Sequence, residues 1–158
     1  MATQARLAQR RIVQPGPTFA TPSPQNYAAN RAYYSYVARF TAIAAAGAAA
    51  GQANITIDND ADFDWMYSTF WATIGDVAQT DSSRLLPTAL VDIATQDTQR
   101  LSNLPVPIAS IFGDGTQPLV LPTARRLPRR TTLNFTVTNL GADAINLWLV
   151  LMGQKVYT

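Results

Sequence analysis

The chain of 158 residues has no cysteine and no histidine. It also has no glutamate, and its only lysine is Lys155. Each absence removes a class of chemistry. Without cysteine or histidine there is no disulfide framework, zinc finger, thiol chemistry or haem attachment. Imidazole catalysis goes with them, as does every Ser-His-Asp or Cys-His arrangement. Glutamate and lysine normally furnish much of the solvent face of a surface helix, so their scarcity weighs against helix. Charged residues make up only 14% of the chain, against a usual level of about 25%. The longest nearly apolar run, residues 43–50, is too short to span a bilayer. Arg6, Arg10 and Arg11 have no apolar stretch behind them, so the N-terminus does not read as a secretory signal.

What is present favours strands. Hydrophobic residues make up 47%, and there are eighteen threonines. A chain of this length buries roughly two-thirds of its unfolded surface, so it needs no metal or disulfide staple. The net charge of +2 conceals a strong segregation. Residues 1–50 hold five arginines and no acid; residues 51–120 hold nine aspartates against Arg84 and Arg100. Residues 121–158 are basic again, with Arg125, Arg126, Arg129, Arg130 and Lys155 against Asp143. Such sorting marks surfaces that meet something of opposite sign, a nucleic acid or a neighbouring protein.

Residues 1–30 read as an extended arm. Pro15, Pro17, Pro22 and Pro24 fall within ten residues, and closely spaced prolines favour extended backbone without internal hydrogen bonds. Its apolar residues, Phe19 among them, keep no sustained period. Beyond the arm, alternation predicts strands. Tyr34, Tyr36, Ala38, Phe40 and Ala42 share one parity. Residues 44–50 read as a small-residue loop, with a short helix as the alternative. Strands follow at 53–58, 63–74, 89–95, 108–112, 131–139 and 145–156, with brief extended structure at 119–121. The 63–74 strand places Phe63, Trp65, Tyr67 and Thr69 on one parity and bends at Phe70 and Trp71. Residues 99–107 read as a loop. The last two strands, joined by a short Gly- and Asp-containing loop, read as an antiparallel hairpin. The expected fold is all-β: an antiparallel β-sandwich over residues 31–158, jelly-roll-like, with the arm before it.

Four features are candidate sites. Asp58, Asp60, Asp62 and Asp64 alternate as in a calcium loop. The EF-hand pattern needs Gly at its sixth position and Glu at its twelfth; here stand Phe63 and Thr69. A solvated turn entering a strand is the favoured reading. Paired carboxylates also serve glycoside hydrolysis, but nothing selects a pair among Asp58, Asp60, Asp76 and Asp92. Arg125, Arg126, Arg129 and Arg130 form a basic cluster suited to carboxylate or phosphate. Contact with an acidic subunit surface is favoured over nucleic acid, since no nucleic-acid-binding motif accompanies it. Trp65, Trp71, Trp148, Phe63, Phe70 and Phe135 read as core before they read as a sugar platform.

Three stretches carry a family resemblance: ANITIDNDADFDW (53–65), RLSNLPVPIASIFGDG (100–115) and the ending LPRRTTLNFTVTNLGADAINLWLVLMGQKVY. The ending has Gly-x-Lys-x-Tyr at Gly153, Lys155 and Tyr157. Together they resemble small β-sandwich structural proteins of tailed-bacteriophage virions, and most of all capsid decoration, or cement, proteins. The resemblance covers about residues 30–158 and excludes the arm. It implies a virion component without catalytic activity or cofactor, located on the capsid surface and assembled in the host cytoplasm. Its partners would be the major capsid protein and further copies of itself, as a trimer or other homo-oligomer, with no membrane involved. Arg6, Arg10, Arg11, Pro15, Pro17, Phe19, Pro22 and Pro24 of the arm would then reach neighbouring subunits. Arg125, Arg126, Arg129 and Arg130 would meet acidic surfaces.

Overall fold

The computed structural model describes residues 30–75, 86–97, 99–114 and 116–157. The arm and its candidates Arg6, Arg10, Arg11, Pro15, Pro17, Phe19, Pro22 and Pro24 lie outside the described residues. Eight strands run through the described part: β1 (Arg31–Ile43), β2 (Gly51–Thr56), β3 (Asp62–Ile74), β4 (Ala89–Thr95), β5 (Val106–Pro107), β6 (Leu119–Leu127), β7 (Thr132–Asn139) and β8 (Ile145–Val156). They form two sheets, ordered β1-β8-β3-β6 and β2-β7-β4-β5. All the strand pairings are antiparallel. The first strand pairs with the last, the second with the seventh, the third with the sixth and the fourth with the fifth. This is one long antiparallel ribbon wrapped around a core, the jelly roll. No helix of the described residues is long and apolar enough to cross a membrane.

Alternation places the core. Ile145, Leu147, Leu149 and Leu151 of β8 turn inward, towards Leu133, Phe135 and Val137 of β7 in the other sheet. Tyr36, Ala38 and Phe40 of β1 and Val91 and Ile93 of β4 complete the two inner faces. Full burial of one such large side chain stabilises by about 1.5–3 kcal/mol. A one-residue slip would turn the whole set to solvent, so each register is firmly held.

Several expectations need correction. Strands β7 and β8 are not a hairpin; they lie in opposite sheets. The loop 140–144 is an arch between sheets, shaped by the buried Asn139. Its Nδ2 donates to the Asp143 carbonyl at 2.8 Å, and its Oδ1 accepts from the Gly141 amide at 2.9 Å. The irregularity in β3 falls at Met66, not at Phe70. There the register skips against both neighbouring strands. The extra residue swaps the parity, so Phe63 and Trp65 point inward before it and Ser68, Phe70 and Ala72 after it. Tyr67 and Thr69 therefore belong to the outer face. The strand expected at 108–112 is a 3-10 turn at Ile108–Ser110. Ile108 and Phe112 are both buried, and the Phe112 amide donates to the Ile108 carbonyl at 2.8 Å. The run 119–127 is one strand rather than a brief segment, because Pro122 sits on a sheet edge where no ladder donor is needed. Residues 44–50 hold a single 3-10 turn, Ala45–Gly47.

Candidate interaction surfaces

The starts of β1 and β3 and the ends of β6 and β8 meet at one end of the sandwich. Among the described residues, that pole collects most of the charge. Lys155 lies on the inward parity of β8, and its side chain is only 7% exposed. Its ammonium reaches Asp58 at 2.7 Å and Asp60 at 3.1 Å. The Tyr34 ring lies 4.3 Å from it. The Tyr36 hydroxyl donates to Asp58 Oδ2 at 3.2 Å and accepts the Asp58 amide at 3.1 Å. One lysine thus ties β8, β1 and the loop before β3 together. Burial opposes its charge most strongly, but the hydrogen bonds that its ammonium donates to Asp58 and Asp60, together with the neighbouring negative charge, outweigh burial and hold Lys155 above its ordinary value. The Lys155 hydrogen bond in turn holds Asp58 below the usual carboxylate range.

The second half of the aspartate run serves the neighbouring strand. Arg126 grips Asp64 with two parallel bonds, Nε to Oδ1 at 2.8 Å and NH2 to Oδ2 at 3.1 Å. Asp62 lies 3.7 Å from the same guanidinium and accepts the Arg129 amide at 3.0 Å. The Arg126 hydrogen bond holds Asp64 below its ordinary value. All four carboxylates of the run therefore answer cations of the chain itself. Among the described residues, no group of three or more acidic side chains is arranged to hold a metal ion.

The cluster Arg125, Arg126, Arg129 and Arg130 is brought together at this pole, but its members divide. Arg126 is engaged within the chain. Arg125, Arg129 and Arg130 are exposed, and their guanidinium groups meet no carboxylate among the described residues. Arg130 has φ of 66°, a left-handed conformation that favours glycine. Its amide donates to the Ile57 carbonyl at 3.0 Å. Asn30, where the arm joins, is at the same pole: its carbonyl accepts the Tyr157 amide at 2.9 Å.

The two outer faces differ. On the β1-β8-β3-β6 sheet, the rows Arg39–Trp148–Trp71, Val37–Val150–Thr69 and Ser35–Met152–Tyr67–Val120 follow from the register. This face is mostly apolar; Val37 is 51% exposed and Val120 62%. Of the six aromatics considered for a sugar platform, Phe63, Trp65, Phe70 and Phe135 are core. Trp71 and Trp148 lie on this outer face instead, and Arg39 sits over the Trp148 ring at 5.6 Å. The opposite outer face is polar and nearly uncharged, with Gln52, Asn54, Asn134 and Thr136 around a shallow trough. Between Val120 and Arg125, β6 departs from β3. The departure opens a slot of about 390 Å³ between the sheets, lined by Trp65, Ile93, Leu121 and Arg125 among others.

Sequence reasoning did not single out Lys155 as the organiser of this pole. The signal was available: the only lysine falls on the same parity as Leu147, Leu149 and Leu151. No protein-family model, curated protein or solved structure matches the chain.

The ion pairs predict a pH profile. Asp58 and Asp64 have lowered folded values, so their stabilisation is present above the ordinary value of 3.8. It is lost as pH falls through the folded values. Lys155 is raised, so its share is full below its ordinary value of 10.5 and is lost as pH rises through the folded value. No histidine titrates between them. Urea unfolding should therefore give a flat stability plateau from about pH 5 to pH 9, with an acid fall below about pH 4. Lys155→Met should lower the plateau by about 1–2 kcal/mol and shrink the acid fall, since Asp58 and Asp60 are half-exposed and regain water. An unchanged acid limb in Lys155→Met would show that the ion pair contributes nothing.

Proposed function

We propose that the chain is a virion structural protein that binds the outer face of a phage capsid and stabilises it by bridging major capsid protein subunits. The observation that carries this reading is the eight-strand jelly-roll wrap, an architecture recurrent in viral capsid components. Fold does not by itself give function, so the surfaces matter as much. A sandwich presents an apolar outer face, a pole where Arg125, Arg129 and Arg130 meet no carboxylate among the described residues, and a basic, proline-rich arm that joins at that pole. The arm reaches adjacent subunits, and Arg125, Arg129 and Arg130 meet acidic patches on the capsid protein or on the next copy. The slot beside Arg125 accepts an apolar side chain from a neighbour. Self-association, as a trimer or other homo-oligomer, belongs to the same reading, as does a virion location. Repetition over a lattice makes modest single contacts effective. An enzymatic role is not favoured, because the aspartates of the 58–64 run are spent on ion pairs within the chain.

A second reading is another virion station, a coat protein whose basic arm touches the genome; tail, neck and head-fibre components fall in the same group. Arg125, Arg129 and Arg130, which meet no carboxylate among the described residues, favour the genome contact. Salt-sensitive retention on nucleic acid would support it, and no binding at low salt would remove it. The decoration reading is tested by deleting residues 1–26 and measuring occupancy on purified capsids. Occupancy and capsid heat stability should both fall. If both are unchanged, the arm has no bridging role.

A further inference from the structure

A sheet edge is a row of unpaired amides and carbonyls, and soluble proteins blunt such edges with short strands, proline, charge or bulges. Two of the four edges here are blunted, and a third is short. Strand β5 has two residues, one of them Pro107. Strand β6 carries Pro122, Arg125 and Arg126 and departs from its neighbour midway. Strand β2 has six residues and starts on Gly51. Strand β1 is different. It has 13 residues, no proline and no charge on its inward face. Its register with β8 runs unbroken from Arg31 to Phe40. Among the described residues no strand pairs with its other side.

The register also shows which groups are open. The Tyr157 amide donates to the Asn30 carbonyl, one step beyond the Arg31–Val156 pair. Hydrogen-bonded and non-hydrogen-bonded pairs alternate along an antiparallel ladder. Even-numbered residues of β1 thus bond to β8, and the amides and carbonyls of Arg31, Tyr33, Ser35, Val37 and Arg39 face the open edge. Their side chains are exposed.

We propose that the β1 edge pairs with the β1 edge of a second copy, antiparallel, about a two-fold axis at Val37. The sequence of the edge is self-complementary in that register. Val37 faces its own mate, Ser35 faces the mate's Arg39, and Tyr33 faces the mate's Thr41. A register centred on Ser35 would instead set Arg31 against the mate's Arg39, a like-charge pair that destabilises. Pairing joins two four-stranded sheets into one of eight strands. It also makes the row Val37–Val150–Thr69 continuous across the axis, while the Trp71–Trp148–Arg39 row meets the mate's Ser35. The two-fold contact favours an even-numbered assembly over the trimer considered with the capsid reading, and it holds whether or not the chain belongs to a virion.

The test exploits the absence of cysteine. Val37→Cys places one thiol at the axis, facing its own mate at a Cα separation of about 5.5 Å, within disulfide range. Mild oxidation of the full chain should give mostly disulfide-linked dimer, at twice 17.2 kDa on a non-reducing gel. Arg31→Cys should give little. Light scattering of the wild-type chain should show an even-numbered assembly. Val37→Pro removes only an edge-facing amide, and Val37→Lys keeps the backbone intact. Each should at least halve the mass while leaving thermal unfolding within a few degrees. A monomeric wild-type chain at 100 μM would overturn the proposal. So would an odd-numbered assembly, an assembly unmoved by both variants, or equal cross-linking at positions 31 and 37. Dimers that form only after residues 1–29 are deleted would also overturn it, by showing that the arm covers this edge.

Discussion

Gly153→Ala should destabilise the fold by about 3 kcal/mol. Gly153 pairs with Trp65 in the register, one residue before the Met66 bulge. A Cβ there would collide with the Asp64 backbone carbonyl oxygen and meet the Phe63 ring at 3.1 Å. Both obstacles are anchored. The carbonyl belongs to a central strand, and Phe63 is fully buried. Overpacking against flexible side chains costs about 1–3 kcal/mol; against fixed backbone the upper end applies. The shift also disturbs Lys155, two residues on, and Asp64, the partner of Arg126. Urea unfolding measures the loss directly, and circular dichroism should show retained strand content at low temperature. A loss below about 0.5 kcal/mol would mean that β8 and β3 are not this close.

If the chain binds capsids as proposed, replacing Arg125, Arg129 and Arg130 together with Gln should raise the concentration needed for half-occupancy of purified capsids by about 100-fold at low salt. Exposed ion pairs contribute at most about 1 kcal/mol each, so three give close to that factor. High salt should weaken wild-type binding and narrow the difference, because exposed charges are screened. The fold should not suffer, since none of these three guanidinium groups meets a carboxylate among the described residues. Arg130→Gly alone separates the two roles. Relief of the left-handed strain should leave stability unchanged or up to about 1 kcal/mol higher, while binding weakens. Equal occupancy by the triple variant and the wild-type chain would remove the arginine pole from the interface.

Alternation made much of the fold legible. It located β1, β3, β4, β7 and β8 to within two residues, because each buries one face and exposes the other. It could not say which sheet a strand joins. Strands β7 and β8 have the inward pattern of a hairpin, yet they face each other across the core. The difference lies in the Asn139 hydrogen bonds that turn the chain from one sheet to the other. Parity also fails across an inserted residue, so Met66 sent Tyr67 and Thr69 to the wrong face. At 108–112 the buried pair Ile108 and Phe112 is four residues apart, a helical spacing, and Pro107 precedes it. In a chain otherwise read as strands, that spacing was overridden.

The basic cluster was legible as a cluster but not as a division of labour. Only the pairing of β3 with β6 brings Asp64 under Arg126 and sets Arg125 opposite Trp65, with no carboxylate partner among the described residues. The aspartate run looked like one feature, and folding splits it between Lys155 and Arg126. With no histidine, glutamate or cysteine, the ion pairs that hold the arm-bearing pole keep their charges through neutral pH.

The most direct test is electron cryomicroscopy of purified particles, with and without the chain, on a common capsid lattice. Proposed membership of the capsid surface predicts added density at every equivalent lattice site, with a jelly-roll body and the Arg125–Arg130 pole turned towards capsid protein. Particles lacking the chain should lose that density and disrupt at lower temperature. Density confined to the tail or to a single vertex, or no copy of the chain in the particle, would contradict it.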